Sequence, residues 1–306
     1  MKKVLFYSLI LSILFGCGVL VFPISHLQAA TPKLPAALTP KTGVLRPRQI
    51  VAGRFDFSKM SGDKILVVDP ESRQIILARN AQKTHPIASL TKLMTALVLR
   101  SHELDLARTG MLLEEDEIGG ARLRVNTGTP LTVRDLFYAM IVGSANNAAH
   151  ALARMNGRSV ADFVTEMNTR ALAMGLTSTT FTDTSGLNIG NVSTAQDVAA
   201  LALTAFDDPV IRRAATTAYY PLTVDGQTRQ MKNTNGLLTD PNNGLYVLGG
   251  KTGYLVESKW NLVVKMMDRR KRPLLIVVLG SATQGDSFKD ATRVAQWVWA
   301  HYQWRK

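Results

Sequence analysis

Lys64-Ile65-Leu66-Val67-Val68-Asp69-Pro70-Glu71-Ser72-Arg73-Gln74-Ile75-Ile76-Leu77-Ala78-Arg79 holds two short apolar runs on either side of a turn. Residues 64–69 and 74–79 are rich in β-branched and aliphatic side chains. Pro70-Glu71-Ser72-Arg73 supplies turn residues between them, so the stretch reads as a β-hairpin. Sequence of the same character returns in the last third of the chain, at 260–267 and 274–279. Between these regions the apolar spacing becomes helical. Leu90, Leu93, Met94 and Leu97 predict a helix over 89–100. Thr132-Val133-Arg134-Asp135 has the form of a capping box that opens a helix to about 142. After a break at Gly143, helix resumes through 148–153. Residues 159–174 form an amphipathic helix ending before Gly175, and 197–205 and 290–302 form two more. Strands, a helical block, strands and a helix imply that both chain ends build one antiparallel sheet. The fold class is α+β, with helices flanking the sheet and an inserted all-helical part.

Hydrophobic residues make up 46% and charged residues 19% of the 306, which excludes global disorder. The formal charge is +13, a balance that attracts polyanions. The one dense basic cluster, Arg269-Arg270-Lys271-Arg272, lies between two strand runs and reads as a solvated hairpin turn. No finger, RRM or basic-zipper pattern accompanies it, so nucleic-acid binding is not expected. Cys17 is the only cysteine. His26, His85, His102, His150 and His301 show no zinc spacing, and neither metal nor cofactor is expected.

Residues 1–30 read as a secretory signal peptide. Lys2-Lys3 precede an uncharged apolar stretch over 4–22, then Pro23 and the small-residue site Leu27-Gln28-Ala29-Ala30. The apolar run is close to the ~20 residues that span a bilayer, so membrane attachment through a retained leader is the alternative. Lipidation at Cys17 is a weaker third reading, because Phe15 is bulky for a lipobox. Each reading exports the remainder, to the periplasm or cell envelope. Residues 31–54 carry Pro32, Pro35, Pro40 and Pro47 and read as a semi-extended linker. Residues 55–306 are the expected catalytic domain.

Three short motifs supply the chemistry. Ser89-Leu90-Thr91-Lys92 is an SxxK at a helix start, Ser144-Ala145-Asn146 an SxN between two helices, and Lys251-Thr252-Gly253 a KTG near a strand. Each alone is weak, and each has a plain structural reading as a helix cap, an interhelical turn or a strand approach. Their order and placement together form a specific signal. A three-residue spacing puts Ser89 and Lys92 on one helix face. Serine needs a neighbouring base to become a nucleophile, and lysine serves only if burial or a nearby cation lowers its pKa from ~10.4. Lys251 is the expected cation. Ser144 is expected to relay protons to the leaving amine, and Asn146 to orient Lys92 and the substrate amide. Lys251 and Thr252 would hold a substrate carboxylate, and the backbone N–H groups of Ser89 and Tyr254, next to Gly253, would form the oxyanion hole.

At these residues the chain resembles the low-molecular-mass penicillin-binding proteins, the serine-type D-alanyl-D-alanine carboxypeptidase and endopeptidase family, over about 63–304. The resemblance extends to Pro86-Ile87-Ala88 before Ser89, to Asn147-Ala148-Ala149 after Asn146, and to Ser185-Gly186-Leu187. It continues through 191–197, Asn233-Thr234-Asn235 and Gly249-Gly250. It implies a DD-peptidase/β-lactamase-like fold and an acyl-enzyme on Ser89. It also implies cleavage next to D-alanine in peptidoglycan stem peptides, as carboxypeptidase or as cross-link endopeptidase, with inactivation by β-lactams and no metal. The family usually has a small polar residue where Leu255 stands and a small Ala-Gly-like pair where Ser258-Lys259 stands, so Leu255 and Lys259 are expected to narrow the substrate channel or alter specificity. The matched region stops near Trp304, as in the shorter endopeptidase branch, with no further β-domain expected.

Two other functions compete. A serine β-lactamase shares the three motifs but needs a carboxylate to activate the deacylating water. The nearest candidate, Glu166 with Asn168, has the wrong spacing and falls on the exposed side of a helix. A non-catalytic wall-binding scaffold would not need Ser89 and Lys92 together.

Overall fold

The computed structural model describes residues 36–240 and 243–304; the expected leader at 1–30 and residues 31–35 of the expected linker lie outside them. The first hairpin forms as β1 (Lys64–Val68) and β2 (Ile75–Arg79). Six helices follow: α1 (Lys92–Ser101), α2 (Val133–Ile141), α3 (Asn146–Arg154), α4 (Val160–Ala173), α5 (Ala195–Asp207) and α6 (Pro209–Thr216). A separate hairpin, β3 (Tyr219–Val224) and β4 (Gln227–Lys232), leads to β5 (Tyr246–Leu255), β6 (Lys259–Met267) and β7 (Pro273–Ser281). Helix α7 (Gln284–His301) follows the last strand.

The five-stranded sheet has the order β5-β6-β7-β1-β2, with every neighbour antiparallel. Strand β7 pairs with β1, Val277 opposite Leu66, so the two chain ends do share one sheet. The period of two explains why these strands read as unbroken apolar runs. Leu66, Val68, Leu275 and Val277 face the core against the helical block, whereas Ile65, Val67, Leu274, Ile276 and Val278 face a second core under α7. A sheet covered on both faces needs apolar residues at every position. Strand β5 lies at the edge, so among the described residues its outer side has no strand neighbour.

Helix α1 is the axis of the helical block, with every residue from Lys92 to Leu99 buried. The capping box forms as read: Asp135 N–H donates to Thr132 Oγ1, and Thr132 N–H to Asp135 Oδ2. Two elements were not expected. Helix α6 is capped by Asp208, whose Oδ1 accepts from Val210 and Ile211 N–H, with Pro209 in its first turn. The β3–β4 hairpin turns on Asp225-Gly226, both at positive φ, but β4 reads Gln-Thr-Arg-Gln-Met-Lys and carries no apolar alternation. Other expectations shift. KTG lies inside β5 rather than at its approach. Of the basic turn, Arg269, Arg270 and Lys271 are exposed, but Arg272 is half-buried, ion-paired with Asp268 and donating to Trp299 O. The described part of the linker is docked rather than free: Leu38 is fully buried in the larger core, and Arg48–Gln49 pair with Tyr302–Gln303.

Leu275 sits mid-strand in the larger core. Leu275→Ala is expected to lower unfolding free energy by about 2–5 kcal/mol in urea denaturation; a loss below about 1 kcal/mol would contradict this burial.

Candidate active site

Ser89 sits in a 3-10 turn, Ala88–Thr91, that runs directly into α1. The turn is held by Ile87 N–H donating to Asn191 O and by Asn261 Nδ2 donating to Pro86 O. Ala88 has φ +48°, a left-handed conformation that costs a non-glycine residue free energy. Two glycines clamp this turn. A Cβ on Gly186 would lie 1.9 Å from Ala88 O, and one on Gly253 would lie 2.8 Å from Ile87 O and 3.0 Å from Ser89 N. Only residues without side chains let the 183–191 loop and strand β5 approach the serine so closely.

The Lys92 amine has three neighbours: Ser89 Oγ at 2.8 Å, Asn146 Oδ1 at 2.7 Å and Ser185 O at 2.7 Å. The Asn146 amide is oriented by its other end, where Nδ2 donates to Gly119 O. Burial holds Lys92 well below its ordinary pKa, and the Lys251 charge pushes the same way. A neutral amine fits this cage without loss. It donates its two N–H groups to Asn146 Oδ1 and Ser185 O and accepts the Ser89 hydroxyl proton with its lone pair. That is the geometry of a general base next to its nucleophile.

Ser144 occupies the break between α2 and α3 in a left-handed conformation, φ +59°. Lys251 Nζ donates to Ser144 Oγ at 2.8 Å and to Thr252 O at 2.9 Å. Burial alone pushes Lys251 down to about 7. Thr252 Oγ1 donates to Thr234 Oγ1 at 2.6 Å, and Gln284 Nε2 at the start of α7 holds Thr234 O at 2.9 Å. The structure thus brings Ser89, Lys92, Ser144, Asn146, Lys251, Thr252, Gly253 and Tyr254 to one place.

A cleft of about 430 Å³ opens over Ser89, Ser144, Asn146 and Thr252. Its far wall is apolar, made by Leu187, Leu255, Val256 and Tyr254, whose ring stacks on Trp260 with centroids 4.4 Å apart. Leu255 lines the channel as expected. Lys259 does not: it is exposed at the β5–β6 turn with φ +54° and is not among the lining residues. Among the described residues no acidic side chain lines the cleft. Glu166 is half-buried rather than solvated, its carboxylate taken by His102 at 2.6 Å and Arg158 at 2.7 Å on α4. Sequence reasoning assigned no role to Asp183. Burial works against its charge, but N–H groups of Asn188, Ser185 and Gly186 outweigh this and hold it below the usual carboxylate range. It thereby shapes the loop whose Ser185 carbonyl meets Lys92. The roles of Thr234 and Gln284 were also missed; Gln284 belongs to no motif and had no signal.

A family model described as D-alanyl-D-alanine carboxypeptidase, the peptidase S11 family, matches residues 54–283. The chain is 30% identical over 267 residues to the D-alanyl-D-alanine endopeptidase of Pseudomonas aeruginosa, covering 86% of this chain and 82% of that one. It is 34% identical over 215 residues to the D-alanyl-D-alanine endopeptidase of Haemophilus influenzae, covering 70% and 73%. Among solved structures, a D-alanyl-D-alanine carboxypeptidase from Mycobacterium tuberculosis superposes with a TM-score of 0.73 at 28% identity, covering 81% of this chain and 95% of that one.

The buried lysine has a measurable consequence. Lys251 titrates at about 7 when folded, against 10.5 ordinarily. Between those values the unfolded chain holds a proton that the folded protein lacks, so folding stability rises with pH across that window. Relative to Lys251→Met, the wild type is expected to gain stability between pH 7 and 9 in urea denaturation. A difference between the two proteins that stays flat with pH would show that Lys251 is not depressed.

Proposed function

The chain belongs to the peptidase S11 family of D-alanyl-D-alanine carboxypeptidases, and from that premise we propose that Ser89 is the nucleophile of a DD-peptidase acting on peptidoglycan stem peptides. The observation that carries this reading is the Lys92 amine 2.8 Å from Ser89 Oγ in a cage that suits its neutral form. Ser89 Oγ attacks the D-alanyl carbonyl as its proton passes to Lys92. The carbonyl π electrons move onto oxygen, and the backbone N–H groups of Ser89 and Tyr254 receive that oxyanion. The intermediate collapses with release of the amine, which takes a proton through Ser144. Water then cleaves the ester on Ser89 with Lys92 again as base. Asn146 orients Lys92, while Lys251 and Thr252, with the Thr234 hydroxyl behind them, receive the carboxylate next to the leaving amine.

A β-lactam presents the same carbonyl and carboxylate and would acylate Ser89, and among the described residues no carboxylate lines the cleft to supply the deacylating base that a β-lactamase uses. Terminal D-alanine removal and cross-link cleavage use the same steps and differ only in what is joined to the leaving amine. The cross-link reading gains support from the two relatives named endopeptidases. We further propose that residues 55–306 form the catalytic domain and that the 1–30 leader exports it to the periplasm, where its substrate lies. The +13 charge suits an acidic wall polymer.

Labelled penicillin followed by intact mass is expected to give a stable one-to-one adduct on the wild type and none on Ser89→Ala, with both proteins folded by circular dichroism. An adduct on Ser89→Ala would assign the nucleophile elsewhere.

A further inference from the structure

A second concavity, of about 380 Å³, adjoins the cleft at Gly143, immediately before Ser144. One wall is the 122–125 segment and the other is the β3–β4 hairpin, whose Met231 sulfur rests against Gly143. Its floor is apolar, with Leu222 buried, yet every charged residue lining it is a cation: Arg122, Arg124, Arg229 and Lys232. Arg122 reaches Glu117 at 3.5 Å; the other three have no ion-pair partner among the described residues and are exposed. A solvated protein face usually mixes charge signs, because like charges gathered in one hollow repel one another. Here four cations line one hollow without an acid.

The position of the hollow indicates what it receives. Lys232 lies two residues before Thr234, whose hydroxyl meets that of Thr252 at the carboxylate end of the cleft. Gly143 lines both the cleft and the hollow, so a substrate chain continuing past the leaving amine has the hollow as its neighbouring space. A free D-alanine ends in the cleft. The stem peptide on the far side of a cross-link continues, and it carries further carboxylates. We propose that Arg124, Arg229 and Lys232 form a subsite for the carboxylates of the leaving stem peptide, which makes cross-linked peptidoglycan the preferred substrate. This inference rests on the DD-peptidase reading above.

The test compares a purified cross-linked muropeptide dimer with a small diacylated D-alanyl-D-alanine peptide. The enzymes are the wild type and the triple variant Arg124→Gln, Arg229→Gln, Lys232→Gln. The variant is expected to lose about tenfold in kcat/KM on the dimer while staying within about twofold on the small peptide and in penicillin acylation. Amidating the dimer's carboxylates should abolish the difference between the enzymes, as should about 0.5 M NaCl, which shortens electrostatic range. Equal rates on the dimer, or an equal loss on both substrates, would overturn the subsite. So would a loss of binding to anionic lipid vesicles with unchanged dimer kinetics, which would reassign the hollow to a membrane surface. If the wild type neither acylates with penicillin nor cleaves either substrate, the DD-peptidase reading itself fails. Cleavage of both substrates with no effect of the variant sinks only the subsite.

Discussion

A lysine amine buried beside a serine hydroxyl is the constraint around which the rest of this molecule is arranged. Removing an ammonium from water costs several kcal/mol even after relaxation. The neutral amine avoids that cost only if each of its three hydrogen-bonding directions is met. Lys92 meets them with groups from three distant parts of the chain: Ser89 on its own turn, Asn146 at the start of α3, and the Ser185 carbonyl in the loop after α4. The Asn146 contact is lost if α3 moves, and the Ser185 contact if that loop moves. The packing of the helical block around α1 therefore holds three atoms on one nitrogen.

The sheet contributes in a different way. Apolar cores on both faces fix β6, β7 and β1 between the helical block and α7, leaving little freedom in register. Strand β5 hangs on one side of this slab, with Lys251, Thr252 and Gly253 at mid-strand rather than on a loop. Rigidity there matters because Gly253 passes 3.0 Å, by its missing Cβ, from Ser89 N. Among the described residues β5 is an edge strand, and a sheet edge of this kind is where an extended peptide can add as a further strand.

Legibility followed burial. The strands near both chain ends and the capping box at Thr132 could be read because doubly buried strands and cap spacing leave strong local patterns, and motif spacing pointed to eight residues that the fold gathers in one place. The β3–β4 hairpin left none, since its strand β4 is exposed and polar; only Asp225-Gly226 hinted at it. Leu255 was correctly placed in the channel, but Lys259 was not, because a left-handed turn residue points where no periodicity can tell. Asp183, Thr234 and Gln284 escaped notice for a related reason. They act on other site residues through single hydrogen bonds between segments far apart in sequence, and such bonds have no spacing of their own.

The distribution of charge follows from the same nitrogen. A carboxylate near Lys92 would stabilise its ammonium over the neutral amine. The one carboxylate that raises its pKa, Asp183, is instead occupied by the N–H groups of Ser185, Gly186 and Asn188 and by Asn191 Nδ2, so its charge is spent on loop geometry. Lys251 lowers Lys92 as a cation, and burial pushes Lys251 itself down to about 7 while Thr252 and Ser144 engage it. Among the described residues no acidic side chain lines the cleft. Exposed cations lie just outside, along the 122–125 segment and the β3–β4 hairpin. None of them is among the charges that shift Lys92, whose depressed pKa comes from burial and Lys251.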